Sequence, residues 1–238
     1  MWIKICGNTT LEDARSAAEC GADAVGFVFA PSPRQVARSQ VRQIVAKLPA
    51  KLEKYGVFVD ADFEEIVSTV TECGLTGVQL HRKSDARLPL RLQQHFPLEL
   101  AIISVLHFRD NATEFEQQLI ELQNSHAHNN QAQNAVLVDS STSRAVGGTG
   151  TRFNWLEARN SFLRAAPKLR LIAAGGLAPE NVKQAIETLQ PWGVDVVSGV
   201  ESAPGKKDPA RVFAFIRTAQ QAAEEATLQQ EAKSGAKS

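Results

Sequence analysis

The sequence predicts a single (β/α)₈ barrel. Eight short apolar runs recur along the chain, helix-like stretches with start signals alternate with them, and 238 residues suit such a barrel as one domain. The runs read WIKIC from Trp2, AVGFVF from Ala24, KYGVFV from Lys54 and TGVQL from Thr76. Then come LAIISVL from Leu100, AVLVD from Ala135, LRLIAA from Leu169 and VDVVS from Val194. Most are nearly continuous rather than alternating, the pattern of strands in a parallel sheet covered on both faces. An open doubly wound sheet shares this local pattern and lacks only closure. Eight repeats favour the barrel.

The helical stretches announce themselves by their ends. Thr9 followed three residues later by Glu12 predicts a capping box, in which side chains satisfy backbone N–H groups that have no partner in the first turn. In ADFEEIVSTVTECG, Phe63, Ile66, Val67 and Val70 recur at helical spacing and Gly74 marks the stop. Pro179 in LAPENVKQAIETL suits a first turn, and Asp208 before Pro209 places a capping carboxylate ahead of a proline fit for the first helical position. Residues 1–220 are assigned to the barrel, and 221–238 to the end of the last helix and a disordered C-terminal tail. The stretch NSHAHNNQAQN, residues 124–134, reads as a polar loop on the face of the barrel opposite the active end. Its His126 and His128 have no further ligands at a sensible spacing, so no metal site is assigned there.

Charge and cysteine content narrow the function. Lys+Arg and Asp+Glu both total 26, a formal net charge of zero, which argues against nucleic acid as the partner. No apolar run reaches membrane-spanning length, so a membrane role is not expected either. Three widely spaced cysteines, Cys6, Cys20 and Cys73, suit a reduced, cytoplasmic protein. Cys20 and Cys73 fall in helix ends and read as packing residues.

In a barrel the reacting groups sit where strands end and βα loops begin. Collecting polar residues at those points gives Cys6 after the first strand, Arg34 after the second, Gln79 and His81 at the fourth, Asp139 at the sixth and Asp195 in the eighth. Lys4 shares strand parity with Cys6, so both should face the interior. Glycines cluster at the last three strand ends: Gly147, Gly148 and Gly150, then Gly175 and Gly176, then Gly199 beside Ser198. Glycines let backbone N–H groups approach an anion, and phosphate held after strands seven and eight is common in barrels. A phosphorylated small molecule is the expected ligand.

At this point KICG with its following threonine, ADAVGFVFAPSPR, GVFV, GVQLH, LVDSS, GGTGTRFNW, AAGGLAPENV and VDVVSGVES carry a resemblance. Together and in order, over about residues 3 to 217, they resemble the phosphoribosylanthranilate isomerase family of tryptophan biosynthesis. The resemblance implies a barrel that isomerises N-(5′-phosphoribosyl)anthranilate to its 1-deoxyribulose form by an Amadori rearrangement without cofactor. No metal is assigned, and a monomer or homodimer is expected. The resemblance assigns Cys6 as general base and Asp139 as general acid. It puts Arg34 near the anthranilate moiety, Asp195 near the reacting sugar, and the glycine loops with Ser198 at the phosphate. Cys6 must then act as a thiolate, which nearby positive charge would favour; the loop leading to a helix N-terminus and Lys4 are the candidate sources.

Alone, Cys6 reads more readily as packing than as catalysis, whereas Asp139 reads equally as a turn or cap and Arg34 equally as a loop surface residue; the ordered motifs turn all three toward the site. Asp195 within an apolar strand needs a partner, for which Lys4 is the candidate. Two rival functions remain open: a Schiff-base lyase with Lys4 as nucleophile, and a phosphate-binding barrel without turnover. The chain also departs from the family pattern. Arg82 follows QLH where glycine is frequent, Asn154 stands in FNW for the commoner aspartate, and Val197 stands where serine is frequent.

Overall fold

The computed structural model describes residues 1–81, 87–96, 100–108, 111–126, 135–139 and 155–235. All eight expected strands are present: β1 (Trp2–Ile5), β2 (Ala24–Val28), β3 (Glu53–Phe58), β4 (Gly77–His81), β5 (Ala101–His107), β6 (Ala135–Asp139), β7 (Arg170–Ala174) and β8 (Gly193–Val196). Each pairs in parallel with the next, and β8 pairs back to β1, which closes the barrel. Closure decides against the open sheet. The intervening helices are α1 (Leu11–Glu19), α2 (Arg38–Val45), α3 (Phe63–Cys73), α4 (Leu88–His95), α5 (Ala112–His126), α6 (Trp155–Ala165), α7 (Val182–Leu189) and α8 (Pro209–Gly235).

Continuous apolar strands are explained by two cores. Ile3, Ile5, Val25 and Phe27 pack outward against helix residues such as Ile66 and Phe215, whereas Trp2, Tyr55, Ile103, Leu137 and Ile172 fill the barrel. At its amino-terminal end Trp2 stacks on Trp192 and meets Tyr55 edge-on, with centroids 5.1 and 5.9 Å apart. The Glu53 carboxylate accepts hydrogen bonds from Trp2 Nε1 (3.2 Å) and the Tyr55 hydroxyl (2.9 Å). The polar groups of both rings are thereby satisfied where they leave the core.

Helix ends follow the sequence with two corrections. Asp62 caps α3 by accepting from the Glu65 N–H at 2.9 Å, and Gly74 ends it with φ +64°. Asp208 caps α8, accepting from Ala210 N–H and Arg211 N–H. The cap of α1, however, is Thr10 rather than Thr9: its hydroxyl accepts from Asp13 N–H at 3.1 Å. Thr9 donates instead to the Gly205 carbonyl at 2.6 Å. Pro179 lies in a turn ahead of α7, which starts only at Val182, because Asn181 uses its side chain on Ala178 N–H and the Gly176 carbonyl. The first residues of the polar stretch 124–134 continue α5 to His126, and His128 lies outside the described residues.

One element was not foreseen. After β8 and a single 3₁₀ turn, β9 (Glu201–Ala203) and β10 (Lys206–Lys207) form a small antiparallel hairpin. No helix among the described residues is long and apolar enough to cross a membrane.

Candidate active site

The carboxyl ends of the strands surround one cleft of about 330 Å³, a size suited to a small ligand. Cys6, Arg34, Asp139, Asp195, Gly175, Gly176 and Ser198 all line it, together with Gln79 and His81. Residues from β1, β4, β6, β7 and β8 and from the loop after β2 thus converge, as the sequence predicts. Gly147, Gly148 and Gly150 lie outside the described residues, as do Arg82 and Asn154.

Cys6 follows β1 directly. Its backbone N–H donates to the Val196 carbonyl at 2.9 Å, which holds it beside β8. Asn8 locks the loop behind it: its Nδ2 donates to the carbonyls of Ile5 (2.8 Å) and Gly26 (3.2 Å), and its N–H also reaches Gly26. Gly7 turns between them with φ +74°, and a Cβ there would sit 2.9 Å from Cδ of Arg34. Only glycine lets the arginine stem cross at that point.

Beneath the thiol runs a buried polar row. Lys4, with no exposed surface, donates to Asp195 Oδ1 at 2.9 Å and to Gln79 Oε1 at 2.7 Å. The Gln79 amide nitrogen lies 3.1 Å from His81 Nε2. An amide donor there assigns the imidazole a neutral state with its proton on Nδ1. That agrees with its titration: burial, helped by the neighbouring His107, holds His81 below its ordinary value.

The same row sets the charge at Cys6. Burial opposes the Lys4 charge, but Asp195 and Cys6 beside it outweigh that and raise the lysine pKa. For Cys6, burial pushes the thiol up; Lys4 pulls it down, Asp195 adds to the rise, and the net shift is upward. Lys4 therefore acts in the expected direction without making the thiolate the resting form.

Asp139, half-buried at the end of β6, stands between His107 of β5 and Ala174 of β7 in register. Gly199 lets the 3₁₀ turn approach the β7 loop, since a Cβ there would lie 2.9 Å from Cα of Ala178. Ser198 lines the cleft together with Gly175 and Gly176, whose φ values of +84° and +65° turn the backbone away from ordinary strand geometry. Arg34 is held by Glu201, with Nε 2.8 Å from Oε1 and Nη2 2.6 Å from Oε2. Glu201 and its partner Lys207 were missed in the sequence, where neither the glutamate of SGVES nor the lysines of GKKD differ locally from surface charges.

Fold and cleft together define a (β/α)₈-barrel protein built to hold a small anionic molecule against a thiol and two carboxylates. Residues 3–218 match the family model described as N-(5′phosphoribosyl)anthranilate (PRA) isomerase. The chain belongs to that family. An N-(5′-phosphoribosyl)anthranilate isomerase from Pelobacter propionicus is 39% identical over 226 residues, covering 94% of this chain and 98% of its own. Phosphoribosyl anthranilate isomerase from Thermotoga maritima superimposes with a TM-score of 0.78 at 34% identity, over 93% of this chain and 99% of the other. A phosphoribosyl anthranilate isomerase in complex with reduced 1-(o-carboxyphenylamino)-1-deoxyribulose 5-phosphate gives 0.76 at 33% identity, over 93% and 99%.

Proposed function

We propose that the chain isomerises N-(5′-phosphoribosyl)anthranilate to 1-(2-carboxyphenylamino)-1-deoxyribulose 5-phosphate, with Asp139 as general acid and Cys6 as general base. The observation that carries the assignment is that these two groups, from β6 and β1, line one cleft. Asp139 gives its proton to the ribose ring oxygen while the nitrogen lone pair forms a C1′=N bond and the C1′–O bond breaks. Cys6, reacting through the minor thiolate fraction that the charged Lys4 stabilises, then takes the C2′ proton, and the C2′–H electron pair forms C1′=C2′ as the imine nitrogen recovers its lone pair. The resulting enolamine gains a proton at C1′ and loses one from the C2′ hydroxyl to become the ketone. Positioned acid–base groups of this kind contribute roughly 10²–10⁴-fold each.

Asp195, with one oxygen committed to Lys4, offers the other to the sugar hydroxyls. Gly175, Gly176, Ser198 and Gly199, joined by Gly147, Gly148 and Gly150, cradle the phosphate in this reading. The charged state of Lys4, which leaves it no lone pair for attack, speaks against a Schiff-base role. The enzyme is read as cytoplasmic, a monomer or homodimer.

The test follows anthranilate fluorescence with the substrate generated in situ. An enzyme-dependent loss that disappears in Cys6→Ala and in Asp139→Asn, with circular dichroism unchanged, is the expected result. Normal turnover in either variant overturns that residue's role.

A further inference from the structure

The hairpin after β8 carries a charge cluster that the acid–base chemistry does not use. Glu201 has a side chain only 4% exposed, yet it accepts four hydrogen bonds. Arg34 supplies two, Lys207 Nζ donates to Oε1 at 3.1 Å, and the Gly205 N–H reaches Oε1 at 3.3 Å. Lys207 is equally buried and also donates to the Val197 carbonyl at 3.0 Å. The hairpin tip is fixed in turn by Thr9, and a Cβ on Gly205 would lie 3.2 Å from the Pro33 carbonyl beside Arg34.

A guanidinium offers two parallel-donor edges. Glu201 occupies the Nε/Nη2 edge, so the Nη1/Nη2 edge remains without a partner among the described residues, on a side chain that lines the cleft. The charge count matters as much. Arg34 with Glu201 alone would be a neutral pair with little attraction left for an anion. Lys207 adds a second positive charge, so the trio keeps a net charge of +1. Removing either cation would leave the buried carboxylate undercompensated, so the three groups hold one another in place.

We propose, resting on the substrate reading above, that Glu201 is a specificity-determining positioning residue: anchored by Lys207, it presents the free edge of Arg34 to the carboxylate of the anthranilate ring. Glu201 touches no substrate atom in this scheme. It acts by fixing which way the arginine faces.

The test compares two inert ligands, the reduced product analogue with its ring carboxylate and the same phosphate lacking that carboxylate. Wild type should prefer the carboxylate form by about 10–100-fold, the range for a charge-assisted hydrogen-bonded contact. Glu201→Gln should bring the preference within about threefold and raise KM with little change in kcat. Glu201→Asp, which keeps the charge but withdraws it by one methylene, should fall between; if Glu201→Gln does not fold, this variant decides alone. An unchanged preference in the folded variants overturns the proposal while leaving the substrate reading intact. A wild type that shows no preference overturns the proposal, and a wild type without turnover removes the substrate reading on which it rests.

Discussion

Lys4 and Asp195 are register partners across the seam that closes the barrel, and their side chains meet inside it with Nζ 2.9 Å from Oδ1. Neither is appreciably exposed, so each charge depends on the other and on Gln79. Removing one leaves the other buried and unpaired. Lys4→Met should therefore cost about 3–5 kcal/mol of unfolding free energy, and Lys4→Met with Asp195→Leu should recover much of it. Denaturant titration of the three proteins checks this; a double variant as unstable as the single one would contradict it.

The Cys6 thiol, two residues beyond Lys4 and just past the end of β1, is shifted upward by its burial. Burial raises Cys6 above 9.0 despite Lys4. The ultraviolet absorbance of the thiolate, taken as wild type minus Cys6→Ser, should rise with a midpoint above that value. In Lys4→Met it should move higher still, because the cation that opposes the shift is gone. A midpoint at or below the ordinary value would mean that the thiolate is already stabilised at rest, and that burial does not govern this site.

These interior groups were legible because strand parity is a local property. Lys4 and Cys6 share strand parity, and strand ends in a barrel point at one place, so Cys6 and Asp139 fall in one set of candidates; their pairing as base and acid came from the family resemblance. Closure was not local: β1 and β8 carry the same pattern in an open sheet. Thr9 and Thr10 show the limit at helix ends, where two adjacent hydroxyls are equivalent until the turn geometry chooses. Arg34 and Glu201 lie 167 residues apart, and each alone resembles an ordinary surface charge. Nothing short of the fold brings them together.

His81 should leave a signature in the pH dependence of stability. Burial and His107 hold its folded value below the ordinary 6.5. As pH falls through 6.5 the unfolded chain takes up a proton that the folded chain refuses, so stability declines from there down to the folded value and is level below it. His81→Gln removes this contribution. Unfolding free energies of the two proteins should run parallel above neutrality and diverge below it, wild type losing more; parallel curves throughout would show that the imidazole is not held neutral.

Gly26, in the middle of β2, decides whether the thiol has room. A Cβ built there would run into Cys6 Sγ and would lie 3.1 Å from both Cys6 Cβ and Lys4 Cε. The barrel wall cannot yield easily, since Gly26 pairs in register with Tyr55 and its carbonyl receives Asn8. Gly26→Ala should thus cost about 1–3 kcal/mol from overpacking. Activity should fall by more than the loss of folded protein explains, because the sulfur is displaced from the cleft. Introducing Gly26→Ala into Cys6→Ala should be milder, the missing sulfur leaving space for the new methyl. A double-mutant cycle on stability should return a coupling of about 0.5–3 kcal/mol between the two positions. Additive costs would mean that the strand shifts bodily and that Gly26 serves the backbone rather than the thiol.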